Sequence, residues 1–298
     1  MKNHKSKILA LCISSALLYG CGSDSDDPTM SVQAYDGPVR GMIANYKCDD
    51  GSKGTAKNAT DDDGYLSVKN GSSAYDPQNC DITFTGTPLA VDMENGRDMS
   101  GVEYTAPKGL FSNGGNATAS PLTTKKKKKL GDRAYDESTA SDILESLGLS
   151  DIANSGVSIR DLLTKTESSV TKLKKSDPAK FSRLAAIKMV LSDALAADVP
   201  LDKLAEVTKK LSTALTTKYP NFPKNASGKE IVVNLKGKLA DSAFINTVET
   251  SSADELFDNA GIKDDVADAT KPDRNDSKPP TGGTGGTGSG GASGGTGS

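Results

Sequence analysis

The feature that most constrains this chain is a change of hydrophobic period part-way along it. From Ser31 to about Ser112 apolar residues alternate, or run in short blocks bounded by glycine, proline, asparagine and aspartate. From Asp136 to about Asp265 they recur every three to four residues. The first pattern suits strands half-buried on a sheet, the second suits helices with one buried stripe. The expected class is therefore α+β: a small antiparallel β-sandwich over residues 31–112, then a separate α-helical bundle over residues 136–265.

Local signals sharpen both halves. Met42, Ile43, Ala44 and Tyr46 read as a strand, and so does Asp81-Ile82-Thr83-Phe84-Thr85. Thr60 through Val68 is a turn running into a strand, with Gly64 supplying a positive φ. Asn95-Gly96 predicts a type I′ hairpin between Ala90–Met93 and Asp98–Tyr104. In the second half Glu137–Leu147 ends at Gly148, and Ser158 caps a helix over Ile159 to about Lys175. Asp177-Pro178 is an N-cap with proline at the first helical position. It opens a helix with Phe181, Leu184, Ile187, Leu191 and Leu195 on one stripe. Pro200 opens another, carrying Leu201, Leu204, Val207, Leu211 and Leu215, which stops before Tyr219-Pro220. Ile231 to Leu239 fits helix or strand, and Asp254–Ala260 is a short final helix.

Residues 113–135 read as an exposed linker because they contain five consecutive lysines, Lys125, Lys126, Lys127, Lys128 and Lys129. On a helix five successive residues point to every face, so the run is expected to stay in water. It offers either a solvated charge run or a contact for an anionic surface. Residues 266–298 read as a disordered tail, because Lys271–Ser298 is proline followed by glycine, threonine and serine.

The N-terminal end carries an address. Lys2, Lys5 and Lys7 precede an apolar run from Ile8 to Leu18, too short to span a bilayer, and Leu18-Tyr19-Gly20-Cys21 follows. This arrangement resembles the lipobox of bacterial lipoproteins. The resemblance implies that residues 1–20 are a signal peptide and that Cys21 becomes a lipidated first residue. Residues 21–30 would then be a tether, and Gly22 implies the outer membrane, on either its periplasmic or its extracellular side. Acyl chains contribute about 0.8 kcal/mol per buried methylene, so a multiply acylated cysteine anchors durably.

Composition then excludes several chemistries. Residues 1–20 contain three lysines, no acid and His4, the single histidine. The mature chain would carry about −6 net charge. With no histidine it cannot form a Ser-His-Asp triad, a Cys-His pair or a histidine-ligated zinc site. There is no tryptophan, and aromatics are 5% of the chain, which argues against an aromatic sugar-stacking cleft. With Cys12 in the signal peptide and Cys21 on lipid, Cys48 and Cys80 remain, and in an exported protein they pair.

Gly37-Pro38-Val39-Arg40-Gly41 together with Thr60 through Val68 resembles the carboxypeptidase-regulatory-like, transthyretin-like β-sandwich. That resemblance implies a spacer or interaction module with no catalytic residues. Asp61, Asp62 and Asp63 fit either a capped turn or calcium ligation. The expected role is structural, adhesive or partner-binding at the membrane, toward an envelope protein or surface ligand, without catalysis, cofactor or nucleic acid. Two alternatives stay open: a carbohydrate-active enzyme using two carboxylates, and an assembly factor for a surface machine.

Overall fold

The computed structural model describes residues 29–69, 76–112 and 117–274. The expected signal peptide over residues 1–20, Cys21, the first part of the expected tether and the glycine-rich segment from residue 275 onward lie outside these residues. The chain forms a mixed β-sheet region followed by a distinct α-helical bundle.

Seven strands build the β region: β1 (Thr29–Ala34), β2 (Val39–Cys48), β3 (Lys53–Ala59), β4 (Tyr65–Lys69), β5 (Cys80–Asp92), β6 (Glu103–Ala106) and β7 (Ala117–Ala119). One sheet has the order β4–β1–β7 and the other β3–β2–β5–β6. The region is not wholly antiparallel as expected. β7 pairs with β1 in parallel, Val32 opposite Ala117. A parallel partner must arrive by a long crossover, and here β2 to β6 lie between the two strands. The tether reading also ends earlier than expected, since Met30 is already fully buried on β1.

Two turns show how the sequence sets the sheets. Gly64 has φ +76° and delivers the chain into β4, as its place in the turn requires. At Asn95-Gly96 the expected two-residue type I′ turn is replaced by a four-residue loop. Asp92 N–H donates to Arg97 O, Gly96 N–H donates to Asp92 O, and only Gly96 takes a positive φ. β6 then pairs with Ile82–Thr85, far down β5, rather than with the residues beside the turn. Cys48 and Cys80 face each other where β2 and β5 end, and they form a disulfide.

The helices are α1 (Pro121–Leu130), α2 (Glu137–Ser146), α3 (Ile159–Thr164), α4 (Thr166–Ser176), α5 (Pro178–Ala196), α6 (Leu201–Lys218), α7 (Lys236–Leu239), α8 (Ser242–Thr250) and α9 (Ala253–Asp258). α5 starts as its sequence prescribes, with the Asp177 carboxylate accepting from Lys180 N–H and Pro178 in the first turn. Leu184, Ile187, Leu191 and Leu195 are buried, as are Leu204, Val207, Leu211 and Leu215 on α6. Leu201 is instead exposed. The helix expected from Ile159 to about Lys175 breaks at Lys165, which leaves the helical region at φ −128° and ψ 49°. The break re-aims α4 so that Glu167 reaches Gln33 on β1. Ile231–Val233 resolves as a strand, β8.

Two expectations fail outright. Residues 113–135 are not an exposed linker: β7 and α1 lie within them, and Lys125 and Lys126 are 4% and 0% exposed. Ser120 and Thr123 cap α1 reciprocally, and the helix packs on β6, α2 and α5. Its lysines bury their aliphatic stems and carry the ammonium groups to polar atoms at the rim. Lys125 Nζ donates to Ser146 Oγ (3.1 Å), Lys126 Nζ to Asp136 O, and Lys127 Nζ to Asp81 Oδ2 (2.6 Å). Lys128 and Lys129 alone of the five are exposed. Nor do residues 266–274 belong to a disordered tail. Val266–Asp268 is β9, antiparallel to β8. The chain then returns to the β region, where Thr270 N–H donates to Asn95 O (3.0 Å) and Arg274 pairs with Asp63 (2.7 Å). The buried side chains of sheets and helices form one continuous apolar core.

Candidate functional site

Two features bring together residues distant in sequence. The first is a buried charge cluster between the β region and α5. Arg97, carried by the loop after β5, points its guanidinium inward. Nη2 lies 3.3 Å from Asp36 Oδ2, 3.7 Å from Asp193 Oδ1 and 2.5 Å from Ser192 Oγ, and Nη1 donates to Met189 O. Tyr104 Oη on β6 donates to Asp36 Oδ2 (3.1 Å) and shares a 2.6 Å hydrogen bond with Ser192 Oγ. Lys188 Nζ donates to Asp36 O, with the Tyr35 ring centroid 4.7 Å away. Asp193 Oδ2 accepts from Leu235 N–H (2.7 Å). Asp92 Oδ1 accepts from Glu94 N–H (2.8 Å) and Oδ2 from Asn95 Nδ2 (3.0 Å).

Three carboxylates and two cations thus share a buried interface, and burial raises two of the carboxylates, Asp92 and Asp193. Asp92 is pushed up to about 6, first by desolvation and then by Asp36. Asp193 is raised by desolvation, against the pull of Arg97. Burial alone would lower Arg97, but Asp193 and Asp36 outweigh it and hold the guanidinium well above its ordinary value. The cavity beside Asp36, Asp92 and Lys188 measures about 40 Å³. Ligand pockets are typically ~300–1,000 Å³, so this space is too small for a substrate. The cluster fastens two layers together.

The second feature is a groove of about 930 Å³ between the β4–β1–β7 sheet and α3–α4. Gln33 on β1, Tyr65 on β4 and Thr118 on β7 form one side, and Leu110 and Phe111 line its apolar part. Gln33 Nε2 bridges Asp63 O (3.2 Å) and Glu167 Oε2 (2.9 Å), and Thr118 Oγ1 donates to Thr164 O (3.3 Å). These bonds hold the groove at fixed width. On the helical side stand Arg160, Lys165, Lys172 and Lys175, with Glu167 as the single acid in the lining. Arg160 Nη2 donates to Leu110 O (3.1 Å) and Lys172 Nζ to Gly156 O (2.5 Å), which positions both side chains.

The residues singled out in the sequence fall elsewhere. Asp62 pairs with Arg40 (3.1 Å) and Asp63 with Arg274. Asp61 Oδ1 accepts from the N–H groups of Asp63 and Tyr65, so the acidic triplet is a capped, arginine-bound turn. Among the described residues no histidine, cysteine, aspartate or glutamate group is placed to hold a metal ion. Cys48–Cys80 closes the end of the four-stranded sheet. Within the lysine run, Lys127 pairs with Asp81, and the two exposed members, Lys128 and Lys129, approach Asp198 (3.5 Å) and Asp142 (3.6 Å).

Sequence reasoning overlooked both features. For the cluster a signal existed: Lys188 and Ser192, four residues apart, are polar positions on the buried side of an otherwise apolar helix. For the groove none did, because its lining comes from five separate segments. Among the described residues no helix is long and apolar enough to cross a membrane. No family model, curated protein or solved structure matches the chain.

Proposed function

We propose that this chain is an outer-membrane lipoprotein, held by a lipidated Cys21, whose body serves a structural, adhesive or partner-binding role without catalysis. The observation that carries the reading is Leu18-Tyr19-Gly20-Cys21 at the end of a basic and then apolar leader. The Cys48–Cys80 disulfide supports it, since disulfides persist in oxidising compartments such as the periplasm and the cell surface. The transthyretin-like sandwich belongs to the same reading, with Gly37–Gly41 leading into β2 and Thr60–Val68 leading through β4. The enzyme alternative needs two accessible carboxylates. The most strongly raised one, Asp92, borders the ~40 Å³ cavity, and the spacious groove has one acid, Glu167. Both observations favour binding over catalysis.

The test is protease accessibility on intact cells, with Cys21→Ala as control. Digestion of the wild-type body on intact cells places it on the outer surface, where adhesion is the role to pursue. Protection until the outer membrane is breached places it in the periplasm and favours a scaffold or assembly role. A Cys21→Ala protein that stays membrane-bound like wild type overturns the anchor.

A further inference from the structure

The groove between the β4–β1–β7 sheet and α3–α4 is a cation-rich site in an acidic protein. Its lining carries four cations against one carboxylate, while the whole chain has a formal net charge of −3. Glu167 does not neutralise these cations at close range. The described partner of its carboxylate is the Gln33 amide, and Lys165 turns to Asp161 outside the groove (3.3 Å). Lys175 has neither a hydrogen-bond nor an ion-pair partner among the described residues. Clustering like charges in a concave, partly apolar space costs energy unless an anion enters it.

The remaining lining says what kind of anion. Ser112, Thr118, Thr164, Ser168 and Thr171 line the same space as the half-buried ring of Tyr65, and the hydroxyls of Thr118, Thr164 and Ser168, which donate to backbone carbonyls, keep lone pairs that can accept. Hydroxyl groups that can accept from a sugar, one aromatic face and a few fixed cations match a sugar ring bearing carboxylates. A nucleic acid would call for a run of stacking aromatics, and Tyr65 and the buried Phe111 are the only aromatic rings in the lining. The volume lies at the upper end of the range for ligand sites and suits a short oligosaccharide rather than a single ion.

We propose that this groove binds an acidic oligosaccharide. Arg160, Lys172 and Lys175 would take the sugar carboxylates, and Tyr65 with the hydroxyl groups would take the ring. The inference rests on the binding role proposed above but not on the lipid anchor, and its test uses a protein without the anchor.

The experiment is fluorescence anisotropy of labelled tetragalacturonate, with the full chain carrying Cys21→Ala, at low salt. Saturable binding is expected, with maltotetraose, its neutral counterpart, failing to compete. Lys172→Glu with Lys175→Glu should weaken binding about tenfold or more, because each reversal removes an attraction and adds a repulsion. Lys128→Glu with Lys129→Glu, equally charged but outside the groove, should change it less than twofold. Tyr65→Ala should weaken binding with the salt dependence kept. Absent binding, equal loss in the two lysine pairs, or equal competition by maltotetraose overturns the proposal. A single-stranded oligonucleotide of equal charge that competes as well as unlabelled tetragalacturonate overturns the sugar assignment. Circular dichroism of each variant separates lost binding from lost folding.

Discussion

Replacing Arg97 with methionine tests the buried charge cluster. Methionine keeps much of the side-chain volume, so the perturbation is chiefly the loss of charge and hydrogen bonds. In the folded protein Arg97 is the nearest cation to Asp193 and lies 3.3 Å from Asp36, and all three side chains are buried. Lys188 remains, 3.7 Å from Asp36, but nothing replaces the guanidinium at Asp193 Oδ1. Removing one member of a buried ion pair costs about 3–5 kcal/mol, because the partner charge is left in a poor solvent. That is a large part of the ~5–15 kcal/mol that holds a typical domain. The assay is urea denaturation of the full chain with the disulfide intact, in a Cys21→Ala background, at pH 7.5 and at pH 5. The sign of the pH effect follows from the carboxylates. Without Arg97, whose charge opposes the effect of desolvation, the folded-state value of Asp193 rises further above its unfolded value. The variant therefore takes up protons on folding, and it regains stability relative to wild type as pH falls from 8 towards 4. Asp92, at about 6, is largely neutral at pH 5 and no longer adds to the excess negative charge. A loss below about 1 kcal/mol at pH 7.5, or a deficit that grows as pH falls, would refute the assignment of Arg97 as the neutralising group.

Other consequences are open to the same denaturation assay. The folded value of Asp92, about 6, lies above its unfolded value. Wild-type stability should thus carry a component that is full below pH 4 and lost as pH rises to 6, up to roughly 3 kcal/mol. Asp92→Asn should lack that component, and parallel pH profiles for the two proteins would contradict it. Lys125 is lowered to about 8 by burial and by Lys129, so its folded form sheds a proton that the unfolded chain keeps. Wild type should gain stability between pH 8 and about 10 relative to Lys125→Met, and a flat difference across that window would contradict the buried reading of α1. Cys48→Ser with Cys80→Ser opens a link spanning 32 residues. Stability should fall by about 3–4 kcal/mol, and an unchanged midpoint would show that the link does not constrain the unfolded chain.

What could be read in advance was mostly local. α5 and α6 were legible because a cap, a proline and an apolar stripe sit within one stretch of chain, and burial then follows from the period. Cys48 and Cys80 were legible by elimination. The rest depends on partners far along the chain. Arg97 meets Asp193 across 96 residues of sequence, and Gln33 meets Glu167 across 134. Neither pairing leaves a spacing to read. The lysine run misled for a different reason. Charge count alone places Lys125 and Lys126 in water, but a lysine stem is apolar over four carbons, and α1 fills the gap between β6, α2 and α5 with such stems. The type I′ expectation at Asn95-Gly96 failed because the loop closes over four residues, with the Asp92 carboxylate accepting from Glu94 N–H and Asn95 Nδ2 inside it.

The account rests on Cys21, and mass spectrometry of the N-terminal peptide of the protein purified from membranes tests it most directly. The prediction is a peptide that begins at Cys21, lacks residues 1–20 and carries the added mass of acyl chains through the cysteine sulfur. A peptide that still contains residues 1–20, or that begins beyond Cys21, would contradict the anchor, and so would one that begins at an unmodified Cys21. The body would then have to be placed in the cell on other grounds.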